Sequence, residues 1–139
     1  MLVVVSGHFD PLHRGHIDHI REAAKLGSHL IVIVNSDKQI IKRNGSVFKP
    51  LHERVARIFK KCPFVNGIVV SIDKDGTQAE TLRLLKPDVF AKGGDRIADN
   101  MPQSEVDACS DVGCKLMYGI GRKLNSSTKL RRRIERLRG

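Results

Sequence analysis

The residues with most chemical potential stand together near the start of the chain, in the run Gly7-His8-Phe9-Asp10-Pro11-Leu12-His13-Arg14-Gly15-His16. His13 and His16 lie three apart where a helical pattern begins. A helix N-terminus presents unpaired N–H groups and the positive end of its dipole, so it favours an anion. Two imidazoles facing a phosphate there can donate hydrogen bonds to the charge that builds on its oxygens during substitution. That is electrostatic transition-state stabilisation, with no covalent intermediate. Gly7 lets the backbone approach a ligand closely, and Gly15 leaves room for phosphate. Competing readings are two surface histidines, or one core histidine and a cap. His13, His16 and His19 at three-residue intervals also raise a zinc site, but no Cys or His stands at a convincing spacing elsewhere, so no metal site is expected.

Two further segments suit a nucleotide. In Ala91-Lys92-Gly93-Gly94-Asp95-Arg96 the paired glycines allow a base or ribose to pack flat on backbone, and Asp95 can accept from a hydroxyl. A plain turn with Asp95 and Arg96 paired on the surface is the alternative. Asn125-Ser126-Ser127-Thr128 opens a second helical pattern. Its hydroxyls would cap that helix in any case, and they would also donate to a phosphate, with Arg122, Lys123 and Lys129 close by.

These segments need a scaffold. Residues 2–6 and 30–34 are apolar on consecutive positions, which marks strands buried on both faces of a parallel sheet. Further strands are predicted over 68–72, 89–91 and 116–118. Helices are predicted over 16–26, with Gly27 as the stop, and over 51–61, 78–85, 103–112 and 127–138. The polar stretch 35–49 reads as a loop. Strands alternating with helices give a single-domain α/β fold over 1–139, a doubly wound parallel sheet of Rossmann-like type with helices on both faces. Ligands of such sheets sit beyond the carboxyl ends of the strands. The loops that begin at Ser6, Asn35, Lys92 and Gly119 should therefore line one site.

Composition narrows the partners. The chain has 139 residues, 40% hydrophobic and 29% charged, which fits one globular domain. No apolar run approaches the roughly 20 residues of a membrane span, and no secretory signal precedes the first strand, so the expected compartment is the cytoplasm. Cys62, Cys109 and Cys114 form no C-x-x-C pair and suit a reducing environment. The net charge is +10, and residues 122–139 carry eight basic side chains against Glu135 alone. Such a field attracts phosphate-rich partners, or it is the solvated face of a terminal helix.

Taken together, the pattern resembles the cytidylyltransferase-like family of nucleotidyltransferases, the H-x-G-H group. Residues 7–16 resemble its G-x-F-D-x-x-H-x-G-H, Gly93-Gly94-Asp95 its second glycine-acidic loop, and Ser126-Ser127-Thr128 its terminal S-[ST]-T. Asn35-Ser36-Asp37 and Pro50-Leu51-His52-Glu53-Arg54 also resemble family segments. The likeness spans nearly the whole chain, which implies a complete small member. It implies that His13 and His16 contact the nucleotide phosphates and stabilise the transition state, while the backbone of Gly7, His8 and Phe9, with Gly15, cradles phosphate. Lys92, Gly93, Gly94 and Asp95 would meet the nucleoside. Arg122, Ser126, Ser127 and Thr128 would hold the leaving pyrophosphate, with Mg2+ bridging its oxygens. Asp10, Asp37, Lys42 or Lys49, and Arg54 would grip the second substrate or the triphosphate.

The implied reaction transfers an adenylyl or cytidylyl group from ATP or CTP to a small phosphorylated metabolite, a sugar or polyol phosphate. The implied assembly is a homodimer. Gly94 stands where glycerol-phosphate cytidylyltransferases usually place an acidic residue. Lys92-Gly93-Gly94-Asp95 instead resembles heptose-phosphate adenylyltransferases, which favours ATP. His8 replaces the small or β-branched residue common in the family. A second reading is a catalytically inactive nucleotide- or nucleic-acid-binding module that uses Arg131-Arg132-Arg133. Aromatics are only 4% of the chain, so base stacking is poorly provided for and nucleic acid is not the expected partner. A fragment of a class I tRNA synthetase shares the H-x-G-H loop, but 139 residues leave no room for tRNA-binding parts.

Overall fold

Alternate residues of the first strand feed two separate cores, and this division organises the chain. The computed structural model describes residues 1–93 and 100–121. In it β1 (Leu2–Gly7), β2 (His29–Val34), β3 (Gly67–Val70), β4 (Val89–Ala91) and β5 (Lys115–Met117) form one parallel sheet in the order β3-β2-β1-β4-β5. β1 runs alongside β2 with Val3 opposite Leu30 and alongside β4 with Val4 opposite Phe90. On one face Val3, Val5, Val32 and Val34 pack with Ile20 and Ala23 of α1 (Arg14–Ala24) and Ile58 of α3 (Leu51–Lys61). On the other, Val4, Ile33 and Phe90 pack with Leu82 of α4 (Ala79–Leu85) and Ala108 and Cys109 of α5 (Gln103–Val112). Both faces are covered, so the strands read as continuous apolar runs. The sheet is doubly wound, and the winding reverses between β1 and β4, the position where such folds bind ligands.

Several boundaries differ from the sequence expectation. α1 begins at Arg14, two residues early, because His13 is its N-cap. Gly27 is not a left-handed stop. A Cβ there would lie 2.6 Å from the Met1 carbonyl oxygen, so this glycine admits the N-terminal strand. β3 ends at Val70, short of 72, and β5 spans 115–117 instead of 116–118.

The largest correction is in 35–49, read as a loop. It contains α2 (Asp37–Asn44), which opens with a capping box. Ser36 Oγ accepts from the Gln39 amide at 3.2 Å, and Gln39 Oε1 accepts from the Ser36 amide at 2.8 Å. Gly45, at φ 87°, closes it in the left-handed conformation. Gln39 Nε2 then donates to Ser71 Oγ and the Asp75 carbonyl, which fastens α2 to the loop after β3.

Gly94, Asp95, Arg122, Ser126, Ser127 and Thr128, the helix expected over 127–138 and the arginine cluster at 131–133 lie outside the described residues. Among the described residues no helix is long and apolar enough to cross a membrane.

Ile20 is fully buried and anchors α1, hence the histidine loop, to the sheet. Replacing it with Ala is expected to lower the unfolding free energy by about 2–5 kcal/mol, read from urea melts. The same change at Leu84, 62% exposed, should be nearly neutral.

Candidate functional site

A cavity of about 400 Å³ opens at the carboxyl end of the sheet. It collects Ser6, Gly7 and His8 from the end of β1, His13, Gly15, His16 and His19 from α1, and Asn35 from β2. Lys92, Gly93 and Gly121 reach it from the loops after β4 and β5. Those two loops are tied to each other by Lys92 N–H to the Met117 carbonyl and Ile120 N–H to the Lys92 carbonyl.

His13 and His16 are held by their own backbone. The His13 amide donates to His16 Nδ1 at 3.2 Å, and the His16 amide donates to His13 Nδ1 at 3.4 Å, a reciprocal capping box built from imidazoles. The rings stack with centroids 3.5 Å apart and planes 20° from parallel. Because each Nδ1 is an acceptor, each ring's proton is on Nε2. Two Nε2–H donors are thereby left at the mouth of α1. Burial pulls the His16 pKa down to about 4, with the positive fields of His13, His19 and His8 adding to it, so the ring is neutral at pH 7. Burial also lowers His8, reinforced by Arg43 and Arg54.

The two glycines of the loop serve these rings. A Cβ on Gly7 would lie 2.9 Å from Phe9 Cζ, and one on Gly15 would lie 3.0 Å from His13 Cε1. The space read from sequence as room for phosphate at Gly15 thus houses the His13 ring. Phe9, at φ 51°, turns its buried ring under Gly7 and against His16, edge-on at 5.1 Å.

His19 has a different task. Its Nδ1–H donates to the Ile120 carbonyl at 2.6 Å, fastening α1 to the loop after β5. A Cβ on Gly93 would come within 2.6 Å of that same Nδ1, and one on Gly121 within 2.5 Å of His19 Cα. Glycine at both positions lets three segments cross closely. Among the described residues no three His, Cys, Asp or Glu side chains are grouped to hold a metal ion.

Of the five residues read as substrate-gripping, Asp10, Asp37, Lys49 and Arg54 are linked by hydrogen bonds. Arg54 is buried, 1% exposed. It donates to the carbonyls of Lys49, His8 and Asn35 at 2.9, 2.9 and 2.7 Å and to Asp37 Oδ1 at 2.6 Å. Those bonds leave the guanidinium facing protein, and Asp37 is its partner; the pair positions segments instead of reaching for a ligand. Asp10 likewise accepts from the amides of Phe48 and Lys49 at 2.8 and 2.6 Å. Lys42 and Lys49 are exposed and do not line the cavity, whereas Arg43 does. The helical turn of α2 explains the exchange, since Ile40 and Arg43 share its inner face. Lys92 Nζ lies 3.5 Å from Ser6 Oγ and 4.6 Å from the Phe90 ring centroid.

Sequence reasoning missed Gln78 and Glu105, which complete the cavity from the α4–α5 face. Gln78 Nε2 donates to Asn35 Oδ1 at 3.2 Å, and the Gln78 amide donates to Glu105 Oε2 at 2.9 Å. All three side chains are buried. One signal was available: Glu105 shares a helical face with Ala108 and Cys109, and an acidic residue on an apolar stripe needs a reason.

The Cytidylyltransferase-like family matches residues 4–133. The chain belongs to that family. It is 33% identical over 103 residues to a D-beta-D-heptose 1-phosphate adenylyltransferase of Bordetella bronchiseptica, covering 74% of this chain and 64% of that one. It is 39% identical over 98 residues to an FAD synthase of Pyrococcus abyssi, covering 70% and 65%. The chain thus spans under two thirds of the length of either relative. A lipopolysaccharide core biosynthesis protein from Thermoplasma volcanium, a solved structure, superposes with TM-score 0.68 at 26% identity, over 90% of this chain and 97% of that one.

Two outcomes are expected for a member of this cytidylyltransferase-like family built in this way. Unfolded His16 takes up a proton near pH 6.5, whereas folded His16 resists it down to about 4. Stability is therefore complete above pH 6.5 and falls as pH drops through that window, with His8 and His19, both lowered, acting in the same direction. Thermal melts of nucleotide-free protein between pH 7.5 and 4.5 should show the decline, and a His16→Gln variant should flatten part of it. Replacing Arg54 with Met strands three carbonyls and Asp37, so a loss of about 3–5 kcal/mol is expected in denaturant melts. Lys at 54 should not restore it, because its three donors lack the planar fork.

Proposed function

We propose that this chain is a nucleotidyltransferase. It transfers a nucleoside monophosphate, adenylyl from ATP in preference to cytidylyl from CTP, to a sugar or polyol phosphate and releases pyrophosphate. The observation that carries this reading is the stacked pair His13 and His16, each accepting an amide at Nδ1, which lines a cavity at the N-terminus of α1. Family membership supports the reaction class, and the name of the heptose-phosphate relative supports adenylyl transfer. Lys92 and Gly93 are suited to the nucleoside side of the cavity, beyond β4. Gly94, Asp95, Arg122 and the Ser126-Ser127-Thr128 run complete the proposed nucleotide site. Magnesium enters with the triphosphate and counts as part of the substrate.

In the step itself an oxygen of the acceptor phosphate attacks the α-phosphorus in line. The new P–O bond forms as the bond to the bridging oxygen of pyrophosphate breaks, and the electron pair leaves with pyrophosphate. Charge gathers on the α-phosphate oxygens in the transition state, where the Nε2–H groups and the α1 dipole stabilise it without reorganising. Holding both phosphates in that geometry supplies the remainder of the acceleration. A neutral His16 suits this task, because a donor that keeps its proton needs no proton transfer to act.

Described side chains around the cavity are histidine, serine, amide, acid, arginine and lysine, with glycine between them and no aliphatic or phenyl group. That lining favours a hydroxylated acceptor over a large apolar one.

The test is pyrophosphate release with magnesium, using ATP and CTP against sugar and polyol phosphates. His16→Ala is expected to lower kcat by roughly 10²–10³-fold, the scale of losing one transition-state donor. His13→Asn, which keeps an N-cap acceptor but loses the imidazole, should fold normally and be slow as well. Near-normal kcat in both variants would sink the assignment.

A further inference from the structure

We infer that the cleft between α1 and α3 is a docking groove for an acidic amphipathic helix of a partner protein. This interaction is separate from the reaction proposed above and does not rest on it.

Two cavities of about 530 Å³ each adjoin there, with Leu12 and Arg57 in both linings. Part of the lining is apolar: Pro11 and Ala56 are exposed, Ile17 is half-buried and Leu12 is buried. Cations come from both helices, Arg14 and Arg21 from α1 against Arg57 and Lys61 from α3, around one cavity. Lys49 and Lys60 continue them into the other. The acids of the groove are already engaged. Asp18 pairs with Arg21 at 3.5 Å, and Glu53 with Lys49 at 3.9 Å. Arg14, Arg57, Lys60 and Lys61 are exposed and have no acidic partner among the described residues. Like charges on two walls of one cleft repel, and an anion entering between them relieves that repulsion.

Charge selects the occupant. Residues 122–139 carry eight basic side chains against Glu135 alone, so the chain's own end is repelled. A second copy docked isologously would set this cationic patch against itself. A nucleic acid strand answers the cations but needs exposed aromatic faces for its bases. The phenyl ring in the linings, Phe9, is 2% exposed. A helix with an apolar stripe flanked on both sides by carboxylates matches the groove in order, acid on cation and aliphatic on aliphatic. Arginine forks take carboxylates in paired bonds, which adds direction to the attraction. His13 belongs to the lining of this groove and to that of the catalytic cavity, so a docked helix meets the histidine loop from outside.

The experiment is fluorescence anisotropy on the full chain without nucleotide, using a labelled three-heptad peptide. It carries Leu at a and d, Glu at e and g and Ala elsewhere; the flanking glutamates keep it from pairing with itself. A scrambled peptide of equal composition, whose leucines share no face, and an oligouridylate are the comparisons. The patterned peptide should bind roughly tenfold or more tightly than the scrambled one, the scale of burying a leucine. Arg57→Gln with Lys61→Gln should weaken it roughly five- to tenfold, the scale of two exposed ion pairs. Ala56→Glu, which places an acid on the apolar lining, should weaken it as well. Lys74→Gln with Lys115→Gln removes the same charge outside the groove and should leave affinity within about twofold at physiological salt. All these positions are exposed, so circular dichroism should match wild type. Equal binding of the two peptides, or equal losses in the Lys74 and Lys115 variant, overturns the groove. Tighter binding of oligouridylate, lost with Arg57 and Lys61, overturns the helical occupant in favour of a phosphodiester strand. Sedimentation that shows a dimer split by Ala56→Glu overturns it in favour of a second copy. Binding is read without turnover, so its failure leaves the proposed reaction standing, and failure of the reaction leaves the groove standing.

Discussion

One buried guanidinium holds the carboxyl edge of the sheet together. Arg54 reaches from α3 to the carbonyls of His8, Asn35 and Lys49 and to the Asp37 carboxylate. Those acceptors belong to the loop after β1, the end of β2, the approach to α3 and the first turn of α2. The backbone ladder ends here with the Asn35 amide donating to the Gly7 carbonyl, and Arg54 ties together the segments beyond it. Removing a guanidinium from water is costly, and it is offset only because its donors fall on well-placed oxygens. The same geometry makes the arrangement specific: a shift of any one segment strands a buried donor or acceptor. Asp10, accepting from two amides just before α3, adds a second tie between the histidine loop and the same region.

Against that fixed edge, the H-x-G-H run is at once a helix cap and a donor pair. Each imidazole accepts the amide of the other's residue, which ends α1 properly and sets both tautomers in one stroke. A hydroxyl cap would terminate the helix equally well but would offer no ring Nε2–H. The glycines are explained by what they admit: the Phe9 ring below Gly7 and the His13 ring beside Gly15. Structural and chemical roles here are inseparable, since the bonds that cap the helix are those that aim the rings.

Much of the scaffold was legible because the strands announce themselves. Consecutive apolar residues over 30–34 can only be a strand buried on two faces, and α3, β4 and α5 fall on the expected residues. α2 escaped because eight residues with two isoleucines carry little periodicity. Its ends were nonetheless written, as Ser36-x-x-Gln39 and as Gly45. Missing it reversed the outlook of two neighbours, so that Lys42 was read into the site and Arg43 faces it. Arg54 illustrates a different limit. On the face that also carries Leu51 and Ile58, its charge signals an unusual partner, but sequence does not say whether that partner is a ligand or the protein's own carbonyls. Gln78 and Glu105 were least legible. Their meeting depends on α4 packing against α5, a contact no local pattern encodes.

The two-faced construction of the sheet also sets what the cavity can bind. Helices on one face bring the N-terminal end of α1 and the stacked His13 and His16 rings. Helices on the other face bring Gln78 and Glu105, joined through the Gln78 amide. A sheet wound on one side alone would present only one of these walls to a ligand. Reversal of the winding between β1 and β4 lets both sets of helices reach the same space. The chain therefore lines one cavity with walls of different origin.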